Sequence, residues 1–207
     1  MRFPAVLIAG LLAATPAAAG DLAVSLKTAA GKPVADAVVM VSPQSGSAAP
    51  RAGGPYRMAQ QGMRFSPFVL IVPVGADVAF PNFDPVLHHV YSFSPPKPFE
   101  LKLYGRDQTR HVRFDKAGVV AVGCNIHDAM SGFIRVVDTP YAAKTDAAGA
   151  ALLTGLPPGG ARLTVWHPYL KAARNETVQA VTIPAAGAGR QALVVELRTP
   201  PKRHGSY

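Results

Sequence analysis

Val122-Gly123-Cys124-Asn125-Ile126-His127-Asp128-Ala129-Met130 is the stretch on which the reading of this chain turns. It holds the only cysteine of the 207 residues, a histidine three positions later and a methionine three after that. A thiolate, an imidazole and a thioether are soft or borderline donors that suit copper. The spacing lets one tight loop turn all three side chains towards a common point. Such a set needs a second histidine, and Pro81-Asn82-Phe83-Asp84-Pro85-Val86-Leu87-His88-His89-Val90 offers a pair of them upstream.

Short β-rich runs flank both stretches. Val119 to Val122 leads into the cysteine loop and Gly132 to Val137 leads out of it; Phe68 to Val74, Val78 to Phe80 and His89 to Phe93 precede it. Phe99-Glu100-Leu101-Lys102-Leu103-Tyr104 alternates apolar and polar, which predicts a strand with Phe99, Leu101 and Leu103 on one face. Arg110 to Phe114 alternates likewise and ends at the turn Asp115-Lys116-Ala117-Gly118. Further out, Leu22 to Leu26 and Val34 to Val41 read as strands around the turn Gly31-Lys32-Pro33. Ala161 to Trp166, Val178 to Ile183 and Leu193 to Leu197 complete the set, and no amphipathic helix is evident. Pro43 to Pro55 is rich in Ser, Ala, Gly and Pro and reads as loop or linker. Short strands with frequent Gly/Pro turns predict an all-β protein of sandwich type.

Met1-Arg2-Phe3-Pro4, the apolar run Ala5 to Ala14 and the small residues Ala17-Ala18-Ala19 describe a secretory signal peptide over residues 1–19. The run is too short for a permanent membrane span, and no later stretch reaches about 18 unbroken apolar residues. A periplasmic protein without a membrane span is the expectation. One cysteine excludes an internal disulfide, so a metal or an intermolecular bond must account for an exported thiol. The formal charge of +9 is spread along the chain and favours acidic partners. Nucleic-acid binding calls for a basic stripe with aromatic platforms; the spread charge and the export signal argue against it. No nucleophile, base and orienting group occur together, so no enzymatic activity is expected.

Residues Phe65 to Val137 resemble a cupredoxin of the plastocyanin and amicyanin type. The resemblance rests on Cys124-x2-His127-x2-Met130, on Val74-Gly75-Ala76-Asp77-Val78-Ala79-Phe80-x-Asn82, on the His-x-Val step and on the Phe-Asp-Lys-Ala-Gly turn before the cysteine strand. It implies a Greek-key β-sandwich over 65–138 and one type 1 (blue) copper held by His88, Cys124, His127 and Met130, the last as weak axial ligand. His89 stands where the family usually has Asn. Neighbouring strand residues point to opposite faces, so one of the pair reaches the metal; the resemblance favours His88, with His89 the alternative. Asn82, Asp84 and Asn125 are candidates to steady the loops through hydrogen bonds. His111, His167 and Trp166 read as structural, and His204 lies in the polar tail 199–207.

Thr145 to Gly149, Gly155-Leu156-Pro157-Pro158-Gly159 and Leu163-Thr164-Val165 resemble the second half of a carboxypeptidase-regulatory-like, or transthyretin-like, β-sandwich. Its first half resembles Leu22 to Val41. The implied organisation is one discontinuous sandwich, 20–43 and 139–198, with the cupredoxin inserted after a linker at 44–64. The whole also resembles exported proteins labelled methylamine utilization proteins, which implies electron transfer linked to amine oxidation. The expected function is a periplasmic carrier of single electrons serving an acidic redox partner. Copper binding and delivery, or a non-redox interaction module, are the alternatives.

Overall fold

A computed structural model describes residues 19–200; the signal-peptide and tail readings lie outside them. The fold is all-β, with seventeen strands and one short 3₁₀ turn among the described residues. No helix there is long and apolar enough to cross a membrane.

The first strand, β1 (Gly20–Thr28), is the centre of a three-stranded sheet. β14 (Ala150–Leu156) pairs with it antiparallel and β17 (Ala188–Val195) parallel. Strict alternation places Leu22, Val24 and Leu26 of β1 inward. Facing them is a four-stranded sheet in the order β13 (Ala142–Lys144), β2 (Val38–Pro43), β15 (Gly159–Trp166), β16 (Glu176–Ile183). Val39, Val41, Leu163, Val165 and Ile183 close this core from the second sheet. Both ends of the chain thus build one sandwich.

The middle of the chain builds another. Its larger sheet runs β6 (Val69–Pro73), β12 (Ser131–Val137), β11 (Gly118–Cys124), β8 (His88–Ser92), β9 (Phe99–Tyr104). The facing sheet runs β10 (Thr109–Phe114), β7 (Ala76–Pro81), β3 (Tyr56–Arg57), beside a small β4 (Ala59–Gln60) and β5 (Phe65–Ser66) pair. Phe80, Phe114, Val78, Val90, Val122, Ile134 and Val136 fill the space between.

A third apolar cluster joins the two sandwiches. β2 is buried on both faces: Val39 and Val41 enter the outer core, while Val38 and Met40 turn the other way, towards Val69, Val137 and Trp166. The Trp166 indole meets the Phe133 ring edge-on at 5.9 Å, and Phe133 meets Phe68 at 5.5 Å. Arg135 and Glu176 form a 2.8 Å ion pair with both side chains largely buried. Lys144 Nζ spans the same seam, donating to the Val69 carbonyl at 3.1 Å and pairing with Asp36 at 2.9 Å.

Three details differ from the sequence reading. The second strand begins at Val38 rather than Val34, because Asp36 turns the chain with a positive φ of 59°. The stretch 44–64 is irregular only as far as Pro55. From Tyr56 it joins the inner sandwich, with Met58 fully buried. Leu103 is exposed and Tyr104 buried, the reverse of simple alternation. Opposite His88–Val90, β9 carries one extra residue (His88 pairs with Tyr104, Val90 with Leu101), and such a bulge flips the phase of the strand.

Two outcomes are expected from the seam. Trp166→Ala should lower stability by about 3–5 kcal/mol, read as a drop in the urea midpoint. Burial also holds the His167 imidazole below its ordinary value, and its Nδ1 accepts the Tyr169 N–H at 3.2 Å. Its folded-state value is depressed, so the unfolded chain takes up the proton first, and stability is lost as the pH falls below about 6.5. His167→Gln should flatten the fall in urea midpoint between about pH 8 and about pH 5.

Candidate metal centre

His88 opens β8 and shares a face with Val90, two residues on; both are fully buried. The intervening His89 points the other way, where its Nε2 meets Glu100 Oε1 at 2.8 Å. The period-two geometry of a strand forces this division. Cys124 ends β11, directly opposite Val90 in the antiparallel ladder, which brings it beside His88. Gly123, one position earlier, gives the Tyr91 ring room, since a Cβ there would stand 3.0 Å from it.

Beyond Cys124 the chain leaves the sheet and returns as β12. The Asn125 N–H donates to the His89 carbonyl at 2.9 Å, tying the start of the loop to β8. The Met130 N–H donates to the His127 carbonyl at 2.9 Å, closing a turn within the loop before β12 begins. Within this loop His127 Nδ1 lies 3.6 Å from Cys124 Sγ, and His88 Nδ1 lies 3.7 Å from the same sulfur. One donor atom from each of His88, Cys124 and His127 falls within 4.8 Å of the others. Cys124 and His88 are buried and His127 is partly exposed. Met130 is buried in the same core cluster as Cys124.

Burial alone would raise the Cys124 thiol, but His88, the backbone around His89 and Ile126, and His127 outweigh it and draw it down to about 6. Burial likewise opposes a charge on His88, yet Cys124 and Asp84 hold its value above the ordinary one. In the metal-free protein the cluster therefore favours thiolate beside imidazolium.

The surrounding loops are cross-braced. Asn82, fully buried, donates through Nδ2 to the carbonyls of Val86 and Tyr104 at 2.8 and 3.1 Å and accepts the Asp84 N–H at 2.8 Å. Asp84 accepts from Gly62, Met63 and His88. The Asn125 side chain is exposed and takes no part in this bracing; its backbone does the work. Gln60 was not singled out from the sequence, because it falls in the stretch read as linker. It is fully buried, and its Oε1 accepts from the Tyr104 hydroxyl at 2.6 Å. His111 and His167 lie away from the centre, the former beside Asp77 on an exposed strand and the latter in the seam region. Phe83, Val86, Leu87 and Ile126 are exposed apolar side chains on the segments just before His88 and just after Cys124.

No protein-family profile and no curated protein sequence matches the chain. Among solved structures it is similar to a copper-containing nitrite reductase from Thermus scotoductus SA-01, at 30% identity over 43% of this chain and 25% of that one, with a TM-score of 0.39. It is also similar to a reduced Cu(I) form of an amicyanin variant, at 24% identity over 42% of this chain and 86% of that one, TM-score 0.38. A purple cupredoxin from Nitrosopumilus maritimus matches at 22% identity over 40% of this chain and 99% of that one, TM-score 0.36. Each likeness covers less than half of this chain, and the chain spans a quarter of the nitrite reductase.

The thiolate absorbance of the metal-free protein should titrate with a midpoint near 6, below the ordinary thiol value of about 8.5. It should move upward in His88→Gln, measured by ultraviolet titration of the purified variants.

Proposed function

We propose that this protein is an exported one-electron carrier with a single copper held by His88 Nδ1, Cys124 Sγ and His127 Nδ1, and Met130 as the weak axial ligand. The observation that carries this reading is the convergence of the three donors, with both imidazole nitrogens 3.6–3.7 Å from one sulfur. Metal bonds of about 2.3 Å to sulfur and about 2.0–2.1 Å to nitrogen, at angles between tetrahedral and trigonal, give donor separations of about 3.6–3.8 Å. The cluster has the size that one ion requires. The donor types favour copper over metals that prefer oxygen ligands, and a thioether as fourth donor favours the trigonal arrangement.

Bound copper supplies one-electron exchange between Cu(I) and Cu(II). The protein's part is to hold the donors still. His88 and Cys124 sit on paired strands, and His127 and Met130 on a short loop bonded to β8 at its start and closed by an internal turn, so neither oxidation state needs a new arrangement. His127 is the partly exposed donor, and the exposed apolar side chains Phe83, Val86, Leu87 and Ile126 on the adjoining segments would give a dry contact for a partner. The positive charge of the chain supports an acidic partner. The export-type N-terminus supports a periplasmic location. The resemblance to methylamine utilization proteins supports amine oxidation as the electron source.

The domain division belongs to the same proposal: a cupredoxin over 65–138 inserted into a carboxypeptidase-regulatory-like sandwich of 20–43 and 139–198. Two separate cores joined by one seam support it. Residues 56–64 pack with the inner core, which moves the start of that domain upstream. No separate catalytic function is proposed.

Addition of Cu(II) to the mature protein should give an intense visible thiolate-to-copper band, lost in Cys124→Ser and His88→Ala and kept in His89→Ala. A copper complex with no such band would contradict electron transfer and favour copper delivery.

A further inference from the structure

Asp84 is not one of the converging donors, yet its carboxylate is built into the centre. It is buried, 5% exposed. Its Oδ1 accepts the Gly62 N–H at 2.6 Å, and its Oδ2 accepts the Met63 N–H at 2.9 Å and faces His88 Nε2 at 2.9 Å. Its own N–H is held by Asn82 Oδ1 at 2.8 Å. Two backbone N–H groups and an imidazole nitrogen meet its two oxygens, surroundings that suit an ionised, acceptor-only carboxylate. The carboxylate is therefore a fixed negative charge with no freedom to turn away.

An ionised carboxylate only accepts hydrogen bonds, so His88 Nε2 must carry the hydrogen. The lone pair of the neutral ring is then left at Nδ1, the atom that faces Cys124 Sγ. The same carboxylate stands directly behind the ring, on the side away from the thiolate. Its attraction for a metal ion grows with the ion's charge, and a carboxylate partner makes a ligating imidazole more basic.

We infer that Asp84 is a positioning residue that fixes His88 as an Nδ1 donor and, as a buried charge behind it, favours the oxidised ion and lowers the reduction potential of the centre. The inference rests on the proposed copper reading. The loop at Gly62–Met63 is part of the device, because its two N–H groups fix the carboxylate that faces His88. A backbone carbonyl in the same place would orient the ring equally well but would supply no net charge. Potential, rather than structure alone, is what the carboxylate adds.

The test compares the copper-loaded wild type with Asp84→Asn and with Asp77→Asn, an exposed carboxylate in the same sandwich. The visible band reports that the centre forms; spectroelectrochemistry reports the potential. Asp84→Asn should keep the band and shift the one-electron equilibrium towards the reduced form by about tenfold or more, a rise of about 59 mV per tenfold, with Asp77→Asn unchanged. In the diamagnetic Cu(I) wild type, nitrogen-15 NMR should show a protonated, slowly exchanging His88 Nε2 and a metal-bound Nδ1. That measurement can still overturn the inference if Asp84→Asn does not fold. An unchanged potential with the band intact, or metal on Nε2, overturns the inference. A wild type with no visible band overturns the copper reading and this inference with it.

Discussion

The pairing of Val90 with Cys124 is the constraint from which the centre follows. With that rung of the ladder in place, strand alternation puts His88 on the inner face two residues from Val90 and leaves His89 on the outer one. Cys124 is then delivered beside His88 without any contribution from loop flexibility. A shift of one residue would present His89 instead and expose the apolar set of β8, so the buried face and the donor set enforce the same register. The hydrophobic core of the inner sandwich thus does double duty. It stabilises the fold, and it fixes the phase of the two strands whose ends carry the donors.

The loop between β11 and β12 depends on this frame. It is short, and each of its ends is hydrogen-bonded to backbone: Asn125 to His89, Met130 to His127. Electrostatics complete the arrangement. A buried thiol would ordinarily resist ionisation, but two imidazoles and two peptide N–H groups reverse that preference. The outer sandwich meets the inner one at the seam around Trp166 and Phe133. The donor cluster sits elsewhere, at the ends of β8 and β11 and on the loop between β11 and β12. The seam is apolar and buried, with an ion pair and a lysine-to-carbonyl bond beside it, which favours a fixed rather than a hinged relation between the halves.

How much of this the sequence disclosed depended on range. The Cys124, His127 and Met130 spacing is local, so it was legible directly. The choice between His88 and His89 was half legible: alternation demands that one face inward, but which one depends on the phase of β8 against β11. The all-β class followed from period-two runs and turn residues. The strand at Phe99–Tyr104 misled because its alternation is broken by a bulge that only the partner strand reveals. Residues 56–64 misled as well. Met58 and Gln60 are buried by contacts with strands much later in the chain, and nothing in their immediate neighbourhood signals this. Asp84 was visible as a candidate for bracing a loop, but its convergence with Gly62, Met63 and His88 is tertiary and has no local signature.

The central claim is that His88, Cys124 and His127 share one copper ion. Anomalous diffraction from crystals of the copper-loaded mature protein, collected on either side of the copper edge, tests it most directly. The account predicts a single strong difference peak bonded to His88 Nδ1, Cys124 Sγ and His127 Nδ1. A peak on His89, His111 or another surface histidine, with Cys124 unligated, would contradict it.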